Sequence, residues 1–308
     1  MAEVHRKLLY FNKESLYGTA ATLEQAIPCR VRDYNPWVAN MRQKANVQNH
    51  AGAQRANTLD NFFSITIEVD LAGSGTAGTK PLYSALFEAC KRSVVDDAEA
   101  HDTTVALNDA GTSSGTLGLH VDNFLFKAVG VRGNASFQYQ AGAMPMLVCD
   151  LWGIPLSPSN TAMPAIPDLT GFLEPVSINN VNSDITIFGY QGVLNSLTLN
   201  DGHEIVRRDK PNDKGVYLRN RIGAGSIEFE LPGISAKDFF GEIRGDKSGA
   251  IEIVIGTVAG NIITHTAPNV QLTNPRLTEV DGALHVSTDI INMPTAGAKD
   301  DESTLVFS

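Results

Sequence analysis

The heptapeptide IEVDLAG at Ile67–Gly73 returns as IEFELPG at Ile227–Gly233: Ile, Glu, an apolar residue, an acid, Leu, a small residue or Pro, and Gly, in the same order. In both copies apolar residues alternate with acids, the period of a strand with one buried and one wet face. A glycine closes each strand and a helical pattern follows. After the first copy, Thr79 is placed to cap a helix with Pro81 in its first turn and Leu82, Leu86, Phe87 and Cys90 at helical spacing. After the second, Ser235 and Asp238 make a capping-box-like start, Phe239, Phe240 and Ile243 supply the apolar face, and Gly245 closes the end. Each half then ends in an alternating strand that runs into proline, MLVCDLWGIP to Pro155 and LHVSTDIINMP to Pro294. Such self-similarity predicts an internal duplication, with one domain over 1–155, a linker rich in Pro, Ser, Thr and Asn over 156–175, and a second domain over 176–308.

Elsewhere the chain reads as β with little helix. Alternating runs such as Leu8–Phe11, Leu117–Phe126, Ala135–Tyr139, Leu194–Leu199, Ile251–Ile255 and Asn261–His265 are bounded by Gly, Asn, Asp or Pro. Many short strands predict a mainly β fold, an antiparallel sandwich or barrel. A composition of 43% hydrophobic and 19% charged residues supports a chain with a sizeable core.

Charge and motifs narrow the function classes. A formal net charge of −10 opposes a grip on nucleic acid, which needs a basic stripe to displace counterions from phosphates. No apolar run reaches the ~20 residues that span a bilayer, and Met1–Lys7 lacks a signal peptide's hydrophobic segment, so membrane insertion is not expected. Cys29, Cys90 and Cys149 are far apart and odd in number, and the histidines form no paired helical pattern, so neither a disulfide framework nor a metal is expected. Gly73-Ser-Gly75-Thr-Ala-Gly78 imitates G-x-G-x-x-G. A dinucleotide fingerprint, however, needs a buried parallel strand before it, and here Glu68 and Asp70 share a face. No cofactor is expected, and with no G-x-S-x-G elbow or base tied to a nucleophile, no catalytic residue is assigned.

Glu68 with Asp70, and Glu228 with Glu230, each lie two apart on a strand and so point to one side. Paired carboxylates suit acid–base work, but the same spacing describes a solvated or pore-lining face. The segment Asn35–Asn61 is long and polar, with Arg42, Lys44 and Arg55 opposed only by Asp60 and with Trp37 as an apolar anchor. Long segments without a core of their own are commonly functional. Arg207–Gly215 reads as a solvated turn, and in the tail AKDDESTLVFS the run Leu305–Phe307 could add a strand to a neighbour.

Three stretches carry a resemblance: LLYFNKESLYGTAATLEQAIPCRVRD (Leu8–Asp33), ITIEVDLAGSGTAGTKPLYSALFEAC (Ile65–Cys90) and AVGVRGNASFQYQAGAMPMLVCDLWG (Ala128–Gly153). In this order they resemble the tail tube proteins of long-tailed bacteriophages. The likeness covers the first half directly and the second only through the duplication. It implies tandem antiparallel β-sandwich or half-barrel tail-tube domains, each with one flanking short α-helix, in subunits that close into rings and stack into a hollow tube for DNA ejection, a virion tail component assembled in the host cytoplasm. With two tube domains per chain, three copies would make a pseudo-six-fold ring; a hexamer of whole chains is the alternative. Implied partners are other copies of the chain, a tape-measure protein in the lumen, tail-tip and tail-terminator proteins, and DNA in transit. Glu68, Asp70, Glu228 and Glu230 are then candidate lumen acids whose charge repels phosphate. The segment holding Trp37, Arg42, Lys44 and Arg55 is a candidate arm that reaches the next ring. A virion decoration or adhesin-type β-sandwich binding module shares the pattern and is told apart by failing to polymerise. An enzyme is supported only by the glycine loop.

Overall fold

The computed structural model describes residues 6–47, 49–165, 167, 169 and 171–308; the readings of Met1–His5 and of linker positions 166, 168 and 170 lie outside them. The fold is mainly β, with 55% of residues in strands and 4% in helices.

The first half comprises β1 (Lys7–Lys13), β2 (Ala26–Ile27), β3 (Arg30–Gln43), β4 (Ala56–Asp70), α1 (Ser84–Ala89), β5 (Arg92–Asp97), β6 (Asp102–Leu107), β7 (Gly115–Val121), β8 (Phe124–Gln140) and β9 (Met146–Pro155). A short β10 (Ser159–Asn160) follows. The second half comprises β11 (Ser183–Ile187), β12 (Tyr190–Gln191), β13 (Leu194–Asn200), β14 (His203–Lys210), β15 (Asp213–Arg221), β16 (Ala224–Glu230), α2 (Phe239–Arg244), β17 (Ser248–Ile255), β18 (Ile263–Val280), β19 (Ala283–Asn292) and β20 (Thr304–Phe307).

The antiparallel pairings recur from half to half. In the first, β1 pairs with β2 and β7, β7 with β8, β8 with β9, β9 with β4, and β4 with β3. In the second, β11 pairs with β12 and β17, β17 with β18, β18 with β19, β19 with β16, and β16 with β13. Register recurs too. Thr66 and Asp70 face Asp150 and Met146, as Ser226 and Glu230 face Asp289 and His285. Among the described residues the β5–β6 hairpin has no counterpart between α2 and β17.

The two series join through β8 and β13, where Phe137 faces Leu199 and Tyr139 faces Leu197. The result is one antiparallel run, β3-β4-β9-β8-β13-β16-β19-β18. Along β8, Gly133, Ala135, Phe137 and Tyr139 are buried while Asn134, Ser136 and Gln138 are half-exposed, so the strand's alternation sorts an apolar inner face from a polar outer one. Residues of β1, β7, β11, β17 and both helices belong to the same apolar core as that inner face, among them Phe11, Leu117, Leu86, Ile185, Ile253 and Phe239. Fully burying one such side chain is worth about 1.5–3 kcal/mol.

Several expectations are corrected. The helix after Gly78 begins at Ser84, with no side-chain cap; Thr79 and Pro81 lie in the turns before it. It is anchored instead by Tyr83, whose hydroxyl donates to the Ala72 carbonyl at 2.6 Å and accepts from the Ala72 amide at 3.0 Å. In α2 the cap is Asp238, which accepts from the Gly241 amide at 2.8 Å. Leu117–Phe126 is two strands, broken where Asp122 takes a positive φ of 52°. Arg207–Gly215 is the end of a hairpin: charge masks the alternation of β14 and β15, and Pro211-Asn212, with Asn212 at φ 66°, makes the turn between them. Asn35–Asn61 is likewise hairpin, carried by β3 up to Gln43 and by β4 from Ala56, and position 48 between them lies outside the described residues. The Leu305–Phe307 strand pairs within its own chain, between β6 and β18.

Candidate assembly surface

The outer face of the eight-stranded run holds all four acids singled out in the sequence. Glu68 and Asp70 stand on β4 and Glu228 and Glu230 on β16, at matching register. Their surroundings differ. Glu68 is buried, with Arg32 Nε against one carboxylate oxygen and Arg30 Nε 3.6 Å from the other. Asp70 is half-exposed, with Arg30 Nη2 at 2.6 Å. Glu228 accepts from Thr278 Oγ1 at 2.7 Å and Asn195 Nδ2 at 2.7 Å, and the Thr278 bond leads in holding its carboxyl below the usual range. Glu230 is exposed. The acid pair of the first half is therefore answered by arginines from β3, whereas Glu228 in the second is held chiefly by a hydroxyl and an amide.

Two strand edges on this run lack a partner among the described residues. β3 pairs only with β4, and β18 beyond Gln271 pairs only with β19. By the repeat, β3 corresponds to β13 and this part of β18 to β8, the two strands that join the halves.

Each half also carries an arm. In the first, β3 and β4 run on together, with register shifts at Val31/Asp33, Asn35/Val38 and Asn40/Met41. Trp37, Arg42, Lys44 and Arg55 are all exposed on it. In the second, the ladder is interrupted by Asp201-Gly202 on one strand and Ile222-Gly223 on the other, and continues as β14–β15. This arm lies against the first half. The Val216 amide donates to Tyr17 Oη at 2.7 Å, Arg132 Nη1 donates to the Val216 carbonyl at 3.2 Å, Arg207 lies 4.5 Å from the Trp152 ring centre, and Lys214 Nζ donates to Asn61 Oδ1 at 2.6 Å.

The pivot of the second arm is held by a buried polar cluster drawn from both halves. Arg92, fully buried on β5, makes two bonds to Asp201, Nε–Oδ2 at 2.8 Å and Nη2–Oδ1 at 2.6 Å, and Nη2 also donates to Ser303 Oγ at 2.9 Å. Ser303 Oγ is 2.7 Å from His265 Nε2, and Tyr139 Oη is 2.6 Å from His265 Nδ1. Desolvation first, and Arg92 second, push the His265 imidazole well below its ordinary value, so the ring is neutral. A Ser–His contact invites a nucleophilic reading. These side chains are buried, and neither the cavity of about 260 Å³ beside α1 nor the one of about 740 Å³ beside β11 is lined by them. What the arrangement does is tie β5, β8, β18 and the start of β20 together around one bidentate ion pair.

The glycine loop has a structural use as well. The Gly73 amide donates to Asn261 Oδ1 at 2.8 Å and the Gly75 amide to the Gly260 carbonyl at 3.0 Å. A Cβ on Gly73 would collide with the backbone of Gly260, so the loop's glycines serve a close approach between the halves. The cysteines, far apart in sequence, converge on Cys149. Its thiol raises Cys90 well above the ordinary value, and burial pushes Cys29 up to about 12. None of these meetings had a sequence signal, because each joins residues far apart in the chain that only the tertiary fold brings together. No family model and no curated protein matches the chain.

Proposed function

We propose that the chain is the structural subunit of a phage tail tube, joining copies head to tail into rings that stack into a hollow conduit for DNA. The observation that carries this is the internal junction β8·β13 together with the two free edges that repeat it. A second copy can lay its β3 along the first copy's β18 in the register that β13 takes along β8. Across β8·β13, Phe137 and Leu199 are buried against each other. The matching positions are Leu277, 57% exposed, and Tyr34. Such a contact is heterologous and closes by rotation. If each half is one tube domain of a tandem pair, three copies form a six-lobed ring, and a hexamer of whole chains is the alternative.

In that ring the polar outer face lines the lumen. On that face the exposed arginines Arg30, Arg32 and Arg276 stand against Asp70, Glu68 and Asp289, so a carboxylate answers each cation and phosphate finds little cationic grip, which keeps DNA moving. Asp70 and Glu230 are the positions to test, because both reach solvent, whereas Glu68 is buried between Arg30 and Arg32. Asp70→Lys with Glu230→Lys should slow DNA passage while tubes still form; unchanged delivery would remove the repulsive-wall role. A tape-measure protein in the lumen, tip and terminator proteins at the ends, and a place in the virion complete the reading through the family resemblance.

Electron microscopy of the concentrated protein tests it. Three-fold rings with six lobes are expected, and Leu277→Asp should abolish them without unfolding the chain. A wild-type protein that stays single, even with tape-measure and tip proteins supplied, would overturn the reading in favour of a binding module.

A further inference from the structure

The second arm has a seat inside its own chain, and among the described residues the first has none. At the seat, Phe62 and Trp152 of the outer face lie under Lys214 and Arg207 of the arm. Register assigns their counterparts in the second half. Phe62 lies four residues before Thr66, the partner of Asp150, as Ile222, just ahead of the paired part of β16, lies four before Ser226, the partner of Asp289, and Trp152 stands to Asp150 as Ile291 stands to Asp289. Phe62 is buried under its arm, whereas Ile222 and Ile291 are 66% and 41% exposed, with exposed Ala224 facing Ile291 in the ladder. Trp37, Met41 and Leu59 on the first arm are exposed as well. One molecule thus shows an apolar seat without an arm and an apolar arm without a seat.

The arm cannot fill the seat of its own chain in the same relation. The second arm reaches its seat because β13, from which it springs, adjoins β8; the first springs from β3, at the opposite end of the run from β18. Only a β3 from another molecule can stand beside β18 while the run stays open. The first arm also has a place to turn. The register shift at Asn35/Val38, around Pro36, falls where the second ladder is interrupted after Asn200.

We propose that Ile222, Ala224 and Ile291 form the seat for the Trp37–Met41–Leu59 arm of a second copy of this chain. The inference rests on the assembly reading above and sharpens it: the arm clasps its neighbour within a ring rather than bridging to the next ring.

The test compares wild type with a seat variant (Ile222→Glu with Ile291→Glu) and an arm variant (Trp37→Ala with Met41→Ala). All four positions are exposed, so thermal unfolding of the single chain should not move. Ring formation is followed against concentration by sedimentation and electron microscopy. Both variants should need about ten-fold or more higher concentration to form rings, as expected when apolar anchors are removed from an interface. Mixing Met41→Cys chains with Ile291→Cys chains, each with Cys29→Ser, should give an oxidised dimer that contains one of each. Rings that form at wild-type concentration in both variants overturn the seat while leaving the tube reading intact. The same holds if the arm variant forms rings normally but fails to stack them, which would move the arm's target to the next ring. A wild-type chain that never associates overturns both.

Discussion

The hairpin β3–β4 and its counterpart β13–β16 leave the same sheet at matching positions, yet one continues unseated and the other folds onto the body of the chain. The difference lies at the pivot. After Asn200 the second arm has Asp201, whose carboxylate is held by Arg92, then Gly202 at φ 70°, then His203, whose amide donates to Asn134 Oδ1 at 2.8 Å. After Asn35 the first arm has Pro36 and Trp37, with no acid for an Arg92 to hold. A few residues at the root of a hairpin therefore decide whether it serves its own molecule or stays available to another.

The largest effect should come from the ion pair at the pivot. Arg92→Met leaves Asp201 buried and unpaired, at a cost of about 3–5 kcal/mol in chemical denaturation. Replacing both partners with apolar residues should cost much less; an equal loss would mean that the pair acts by shape rather than charge. Next comes acidity. Desolvation lowers His203 from 6.5 to about 4, so between those values the unfolded chain binds a proton that the native chain refuses. Stability should therefore fall as pH drops through this window, with His203 contributing up to about 3 kcal/mol. His203→Gln should flatten that slope in denaturation midpoints. Gly202→Ala should cost about 1–3 kcal/mol, since its backbone is left-handed and a Cβ would strike the Ile222 carbonyl. Smallest of all, Arg42→Ala on the exposed first arm should change single-chain stability by no more than about 0.5 kcal/mol. A larger loss there would show that the first arm is already seated in the isolated chain.

Much of the β content was legible because alternation is a local signal. IEVDLAG and IEFELPG do end strands at matching register, and the runs closing at Pro155 and Pro294 are their sheet partners. β14 and β15 were hidden because HEIVRRDK and DKGVYLRNR place charge on an exposed hairpin, where burial writes no apolar pattern. β5 and β6 were missed for a related reason: acids and threonines dilute Val94, Val95 and Val105. The acids at Glu68 and Glu228 were correctly set on one face, but nothing local told that Glu68 meets two arginines. That depends on the bulge between Val31 and Asp33, which shifts the facing strand by a residue.

The junction β8·β13 has a further consequence, which belongs to the statistics of association. Because a covalent chain already holds its two faces together, their encounter is intramolecular and governed by effective concentration rather than by dilution. Each such tether removes one loss of translational and rotational freedom that separate lobes would suffer on joining. In the proposed ring, selection for affinity can then relax at the tethered contact and concentrate on the untethered one between β3 and β18.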